Sequence, residues 1–357
     1  MARPAAPADN PLPRIRRGHG RVTLRDVALA CGVTAITVSR FLREPERVAP
    51  ETAARIRQAI ADTGYMPNRQ AGLLASGRSR MVAALIPNLA NSIFGETVQA
   101  LAEVLQAAGY ELMLASTRYS LQREEEQVRA VLAWAPSALV LTGRHHTAGT
   151  RALLQQALAA GTPVVEIWDL NDEPLVDVVQ VGFDHAGAGR DMAAHLLRRG
   201  HQSLAYLDSA LPEDFRAHER GAGFMAAAQA AGATVRLLHA APGDAYEAGR
   251  QALRGPWPAG RAAPPFTALA CANDHLACGV LLEAAERRLA VPGALAVLGF
   301  GDFAIGAQMQ PPLTTLAPPR EAIGRVAAEM LVAALEQGEP PADRALPWTW
   351  VERASTG

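Results

Sequence analysis

Lysine is missing from this 357-residue chain, and all 34 permanently basic side chains are Arg. Arg replaces Lys along the whole length and not at particular sites, so the absence reads as genomic base-composition bias and carries no chemistry. Cysteine is almost missing as well. Cys31, Cys271 and Cys278 are scattered and odd in number, which excludes a disulfide framework and fits a reducing cytoplasm. No apolar run approaches the roughly 20 residues that cross a bilayer, so no membrane partner is expected. The opening stretch MARPAAPADNPLPRIRRGHG has Pro and Arg but no apolar segment of a secretion signal, and export is not expected. What remains is ordinary: 49% hydrophobic and 19% charged residues mark a globular protein. The length suits a small domain followed by a larger bilobed one.

The formal net charge of −1 hides an asymmetry. The first 80 residues hold 14 Arg against 6 Asp plus Glu, a net of +8, and the rest holds 20 Arg against 29 acidic residues, a net of −9. A basic head on an acidic body predicts that only the head meets a polyanion.

Within that head, Thr23 to Leu42 reads TLRDVALACGVTAITVSRFL. Thr23 is placed to cap a short helix whose apolar positions Leu24, Val27, Ala28 and Cys31 recur at helical spacing. Gly32 supplies the positive φ of a tight turn. Thr34 caps a second helix over Ala35 to Leu42. A third helix, Pro50 to Gly64, closes a small core with Ala53, Ile56, Ala59 and Ile60. Two short helices around a glycine turn form a helix-turn-helix, whose second helix enters the major groove of DNA.

Residues 23–77, including TVSRFL and GYMPNRQAGLLASG, run nearly continuously parallel to the headpiece of the LacI family of bacterial transcription regulators, which the chain resembles. In that family the first two exposed residues of the second helix and a later Arg read base edges. The matching positions are Ala35, Ile36 and Arg40. Arg40 can pair bidentately with guanine, whereas Ala35 and Ile36 can offer only apolar contact, for instance to thymine methyls. Ile36 could equally be a core residue. Thr34, Thr37 and Ser39 suit phosphate contacts, which position without reading sequence. The segment Pro67 to Gly77 resembles the family's hinge helix, which forms on operator DNA beside its twin from a second subunit. By that resemblance Leu74 is the wedge in the minor groove, and Asn68 and Arg69 contact backbone and groove. The implied organisation is a disordered basic arm over residues 1–20, a headpiece over 21–66, a hinge over 67–80 and a sensor domain over 81–357.

In the body, apolar runs alternate with amphipathic stretches: MVAALIP, YELMLAS, SALVLT and PVVEIW, then SLAYLD, TVRLLH, FTALAC and ALAVLGF. Short buried strands alternating with helices predict an α/β fold with parallel sheets, with ligands at the carboxyl ends of the strands. The blocks VGFDHAGAG, GHQSLAYL, ERGAGF, CANDHLACG, VLGF and PPLTTL resemble the family's core. That resemblance implies two lobes like those of periplasmic sugar-binding proteins, with crossovers near Gly182–Asp184, Leu313–Thr315 and Pro340. It also implies a homodimer along the sensor lobes, with the helices around Leu101–Leu105 and Leu281–Leu282 as loose candidates for the interface, although ordinary core packing explains those leucines equally well. The leucine-rich tail that makes some members tetramers is not matched by the ending WVERASTG.

Nothing reads as catalytic, and no cofactor or metal is expected. Gly187/Gly189 and Gly221/Gly223 do not start a helix directly after an apolar strand, as a dinucleotide fingerprint requires. His145–His146 and the distant Cys271 and Cys278 lack metal-ligand spacing, and the thiols read as buried and reduced. By family position the effector is held by Asn91, Phe94, Arg118, Thr142, Arg144, His146 and Glu166 from the first lobe, with Asp169 close by. Arg220, Asn273 and Asp302 serve from the second. Many sugar- and purine-sensing members carry Asp where this chain has Gly301. Losing that carboxylate while Arg118, Arg144, Arg220 and His146 are present favours an acidic ligand. LVLT followed by HHT, then VVEIWD and VGFD, look most like the gluconate-utilisation repressor subgroup. The expected effector is therefore a sugar acid such as gluconate or a keto or phosphorylated derivative. Asp302 acting in place of residue 301 would instead allow a neutral sugar, and a corepressor remains open. A solute-binding protein of a transporter is the alternative from another class, which the headpiece opposes.

Overall fold

A computed structural model describes residues 22–66, 79–89, 93–170, 178–256 and 265–357. The chain divides into two compact units, Met1–Gly77 and Arg78–Gly357. The hinge residues Asn68, Arg69 and Leu74, the basic arm and Asn91 lie outside the described residues.

The first unit contains α1 (Leu24–Cys31), α2 (Ala35–Arg43), a 3-10 turn (Pro45–Arg47) and α3 (Pro50–Thr63). Thr23 and Asp26 cap α1 reciprocally, and the hydrogen bonds from Thr23 hold the Asp26 carboxyl below its usual pKa. Gly32 ends the helix in the left-handed region, at φ 66°. The Thr34 hydroxyl then accepts from Thr37 N at 3.2 Å to open α2. Val27, Val38, Phe41, Ala53 and Ile56 meet in one small core, and Arg55 donates to the Cys31 carbonyl to tie α3 to the end of α1.

The second unit contains two sheets of the same order. The first lobe runs β1 (Met81–Ile86), α4 (Gly95–Ala107), β2 (Glu111–Ser116), α5 (Leu121–Leu132), β3 (Ala138–Thr142), α6 (Ala148–Ala159), β4 (Val164–Asp169) and β5 (Val179–Phe183). The chain then crosses into α7 (His185–Arg198), β6 (Ser203–Asp208), α8 (Phe215–Ala230), β7 (Thr234–His239), α9 (Ala245–Arg254), β8 (Ala268–Cys271), α10 (Asp274–Glu286), β9 (Ala296–Phe300), α11 (Ala304–Gln308) and β10 (Thr314–Ala317). It returns in α12 (Arg320–Glu336), which packs on α4. A short β11 (Arg344–Ala345) joins the first sheet beside β5, and β12 (Thr349–Val351) joins the second, antiparallel to β10. The strand orders are β2-β1-β3-β4-β5-β11 and β7-β6-β8-β9-β10-β12. Both sheets are thus doubly wound, and all other pairings are parallel.

The first crossover falls where the sequence predicts it. The other two fall later. The second lies at Pro318–Pro319, because Thr314–Ala317 forms a full strand of the second sheet before the chain turns back. The third lies between Ala345 and Thr349, because residues past Pro340 first pair with β5. Leu101, Leu105 and Leu281 are core residues, not interface, and only Leu282 of that group is exposed. Cys31, Cys271 and Cys278 are buried free thiols. Among the described residues no helix is long and apolar enough to cross a membrane.

The paired glycines have a packing role. A Cβ on Gly189 of α7 would collide with the Arg220 carbonyl of α8, and one on Gly223 with the Ala186 carbonyl of α7. Backbones this close admit no side chain. Gly223→Ala should lower the unfolding free energy by about 1–3 kcal/mol, read from urea denaturation. Gly95→Ala, at a position with open space around it, should stay within about 0.5 kcal/mol of wild type.

Candidate functional site

The head presents α2 with its apolar face buried and Ile36 turned outward. Ile36 is 71% exposed, which excludes the core reading. Arg40 lies one turn further along on the same side and is also exposed. Ala35 packs partly against the small core, and Thr34 and Thr37 share a 2.9 Å hydroxyl contact at the cap. Ser39 is half-buried beside them. An exposed Ile and Arg spaced i, i+4 on a capped helix form a surface able to enter a groove.

In the second unit a cavity of about 270 Å³ lies between the carboxyl ends of the two sheets, the position that doubly wound folds offer to ligands. Phe94 before α4, Tyr119 after β2 and Trp168 near the end of β4 face it from the first lobe. Opposite stand Asp214, Arg216, Arg220 and Asn273, with His185 and Phe303. Both arginines are less than a tenth exposed. Arg216 lies 5.5 Å from the Phe94 ring centre, and Arg220 stacks 3.7 Å over Phe300.

His185 joins the two walls. Its Nδ1 lies 2.9 Å from Arg220 Nη1, and its Nε2 lies 2.9 Å from the Trp168 carbonyl. A guanidinium can only donate and a carbonyl can only accept, so the ring is neutral with its proton on Nε2. Its pKa agrees: burial lowers it, and Arg220 and Arg216 add to that against the pull of Asp169. Trp168 sits at φ 78°, a conformation costing a non-glycine residue about 1–3 kcal/mol. Beside it, burial alone would raise the Asp169 carboxyl, but His185, Arg216 and Arg144 hold it down to about 2. A second clasp also spans the lobes. Arg144 Nη2 and His145 Nε2 reach Glu219 Oε1 at 2.7 and 3.0 Å, and His145 stacks on Phe215.

Among the described residues, three buried side-chain polar atoms have no hydrogen-bond partner: Trp168 Nε1, Asp169 Oδ1 and Arg220 Nε. All three belong to this one cluster. His185 Nε2 also lies 3.3 Å from Asp169 Oδ1, but the proton of the neutral ring goes to the Trp168 carbonyl. An orphaned buried polar group costs about 1–3 kcal/mol, so these three atoms mark the cluster as ground suited to a hydrogen-bonding ligand.

Of the residues expected around the ligand, Phe94, Arg220 and Asn273 line the cavity. The others do not. Arg118 is exposed at φ 54°, and its neighbour Tyr119 takes the place at the wall. Thr142 is buried and donates to the Leu85 carbonyl. Arg144 is spent on Glu219. His146 and Glu166 lie inside the first lobe, where His146 bonds Glu124 at 2.5 Å and Glu166 at 3.1 Å, and Gln180 also donates to Glu166. Asp302 pairs with Arg353 at 2.7 Å and does not line the cavity. A Cβ at Gly301 would lie 2.8 Å from the Phe303 ring, so Phe303 fills the space of any side chain there. The residues missed were His185, Trp168, Tyr119, Asp214, Arg216 and Phe303. Arg216 was within reach of the pattern, one turn before Arg220 in FRAHER. His185 and Trp168 lay inside blocks already singled out, but their pairing is tertiary.

The His146 triad makes a pH prediction. Burial disfavours its charge, but the hydrogen bonds to Glu124 and Glu166 outweigh that and raise its pKa from 6.5 to about 9. A group raised on folding stabilises fully below its unfolded pKa and loses that contribution as pH climbs through the folded one. The urea midpoint of the wild type should therefore fall between pH 6.5 and 9. In His146→Gln it should start lower and fall less, and equal slopes would contradict the assignment.

Comparison with known proteins extends the same picture. Residues 23–68 match the bacterial regulatory proteins of the lacI family, and residues 193–356 match a periplasmic binding protein-like domain. The HTH-type transcriptional regulator GntR of Pseudomonas aeruginosa is 39% identical over 336 residues, spanning 92% of this chain and 94% of that one. The crystal structure of a LacI-family transcriptional regulator from Silicibacter pomeroyi aligns with a TM-score of 0.84 at 33% identity, over 94% of this chain and 99% of that one. The lac repressor dimer bound to operator and the anti-inducer ONPF aligns with a TM-score of 0.81 at 25% identity, over 94% and 99%. Likeness at this identity over nearly the whole length settles the kinship: the chain belongs to the lacI family of bacterial regulatory proteins, and it is a DNA-binding transcriptional repressor, not an enzyme.

Proposed function

We propose that this repressor works in the cytoplasm as a homodimer that holds a pseudo-palindromic operator and releases it when a sugar acid, such as gluconate or a keto or phosphorylated derivative, fills the cleft between the lobes. The observation that carries the reading is the charge of the cavity wall. Among the described residues, Arg216 and Arg220 stand against one lining carboxylate, Asp214. Burial lowers the pKa of the wall histidines His185 and His275, so the positive charge of the wall rests on the two arginines. The N-terminal ends of α8, α9 and α10 also reach the cavity, at Asp214, Ala245 and Asn273, and favour an anion. Gly301 adds no carboxylate, and Asp302 is occupied by Arg353, so the route to a neutral sugar through Asp302 has no support. Kinship with regulators named GntR agrees with the resemblance to the gluconate-utilisation subgroup.

For the dimer, the edge strands β2 and β7 expose Leu114 and Leu237, and α10 exposes Leu282, while the central strands bury every such side chain. On DNA, Ile36 and Arg40 read bases, and Thr34, Thr37 and Ser39 meet phosphates.

Fluorescence anisotropy on DNA from upstream of the protein's own gene tests the effector. Gluconate or 6-phosphogluconate should release the DNA and neutral sugars should not. Tighter binding with ligand would make the effector a corepressor. Arg220→Ala should weaken acid binding by about 10- to 150-fold, the scale of hydrogen bonds to charged groups. Arg40→Ala should cost about 1–3 kcal/mol of operator affinity and relax preference at one base pair, with an unchanged melting temperature.

A further inference from the structure

We propose that His185 is a positioning residue that holds Arg220 ready for the effector and ties that pose to closure of the lobes. The inference rests on the cleft being the effector site, but its geometry stands apart from the identity of the acid. His185 is the first residue of α7, immediately past the first crossover, and is 3% exposed. Both ring nitrogens are used, one toward each lobe.

Arg220 is otherwise fixed by a 2.9 Å bond from Nη2 to the Ala272 carbonyl at the end of β8 and by the Phe300 ring across its face. Among the described residues, the bond to His185 is the hydrogen bond that leads from this guanidinium to the first lobe, through the Trp168 carbonyl. The three orphaned polar atoms belong to Trp168, Asp169 and Arg220, the residues directly around the imidazole. A ligand that engages Arg220 therefore acts on a group whose placement depends on His185, and through it on the turned end of β4. Opening of the lobes breaks the bond to Trp168 and frees the ring that holds Arg220.

The chemistry required at 185 is narrow: an acceptor toward Arg220 and a donor toward a carbonyl, about one imidazole apart. A glutamine amide supplies both, and leucine fills much of the space with neither. The test uses the full-length protein as wild type, His185→Gln and His185→Leu, with two readouts. In the ligand-free protein, amide hydrogen exchange at residues 166–170 and 213–221 should rise at least about tenfold in the leucine variant, with β9 unchanged, and return to the wild-type rate in the glutamine variant. In operator-release titrations with gluconate, the half-release concentration should rise about 5- to 150-fold for leucine, the range of typical coupling energies. It should stay near wild type for glutamine.

Wild-type exchange in the leucine variant would overturn the proposal. So would a rise that includes β9 and is not rescued by glutamine, since that is the mark of a packing role alone. If gluconate fails to release the wild type, the effector assignment fails, and the exchange pattern by itself decides the role of His185.

Discussion

Where the chain first leaves one sheet for the other, the neutral imidazole of His185 is pinned between a group that only donates and a group that only accepts. Much of the sensor unit is organised around that constraint. Trp168 leaves the regular strand conformation at the end of β4, where its carbonyl meets the ring. Asp169 stays ionised between His185 and the arginines, and its second oxygen accepts from the Arg144 backbone. Arg220 is left with a nitrogen that the protein itself does not satisfy. The same helix, α8, carries Phe215 and Glu219 to the second clasp, so its first two turns gather most of the contacts between the lobes near this crossover.

Directional polar contacts bridge the cleft at His185 and at Glu219. Directional contacts of this kind switch sharply. A modest displacement forfeits a hydrogen bond outright and exposes groups to water, whereas an apolar surface would slide. In the same cluster, Trp168 Nε1, Asp169 Oδ1 and Arg220 Nε are left to bond a ligand. A regulator needs such contacts, because an effector can shift an equilibrium only by its differential affinity for the two states. In the first lobe, the His146 triad is a contrasting use of charge. It is internally paired and far better satisfied, and it serves the core of its own lobe.

Sequence pattern reached much of this. The capped helices of the head follow from Thr23, Gly32 and Thr34, whose local chemistry leaves few alternatives. The eight apolar runs correspond to β1–β4 and β6–β9: the six central ones are buried on both faces and need continuous apolar stretches, while the edge strands β2 and β7 keep an apolar pattern although partly exposed. β5, β10, β11 and β12 did not read as strands. They are short, and β11 and β12 owe their pairing to the return of the chain after α12. For the ligand wall, family position found Phe94, Arg220 and Asn273. It misplaced Thr142, His146 and Glu166, because alternate residues at a strand end point to opposite sides and spacing along the chain does not tell which side meets the second lobe.

The sequence by itself determined the class of protein: a basic helical head, a doubly wound body, and the residue types at the groove-facing helix. These depend on contacts between near neighbours, on periodicity and on the sign of charge, all of which are local properties. Only the tertiary structure decided which charges are free. Arg144 and Asp302 look available in the sequence and are occupied by Glu219 and Arg353. Arg216 and His185 look incidental and stand in the cavity wall. The reason is that a buried charge is governed by its partner, and each of these partners lies 35 or more residues away along the chain.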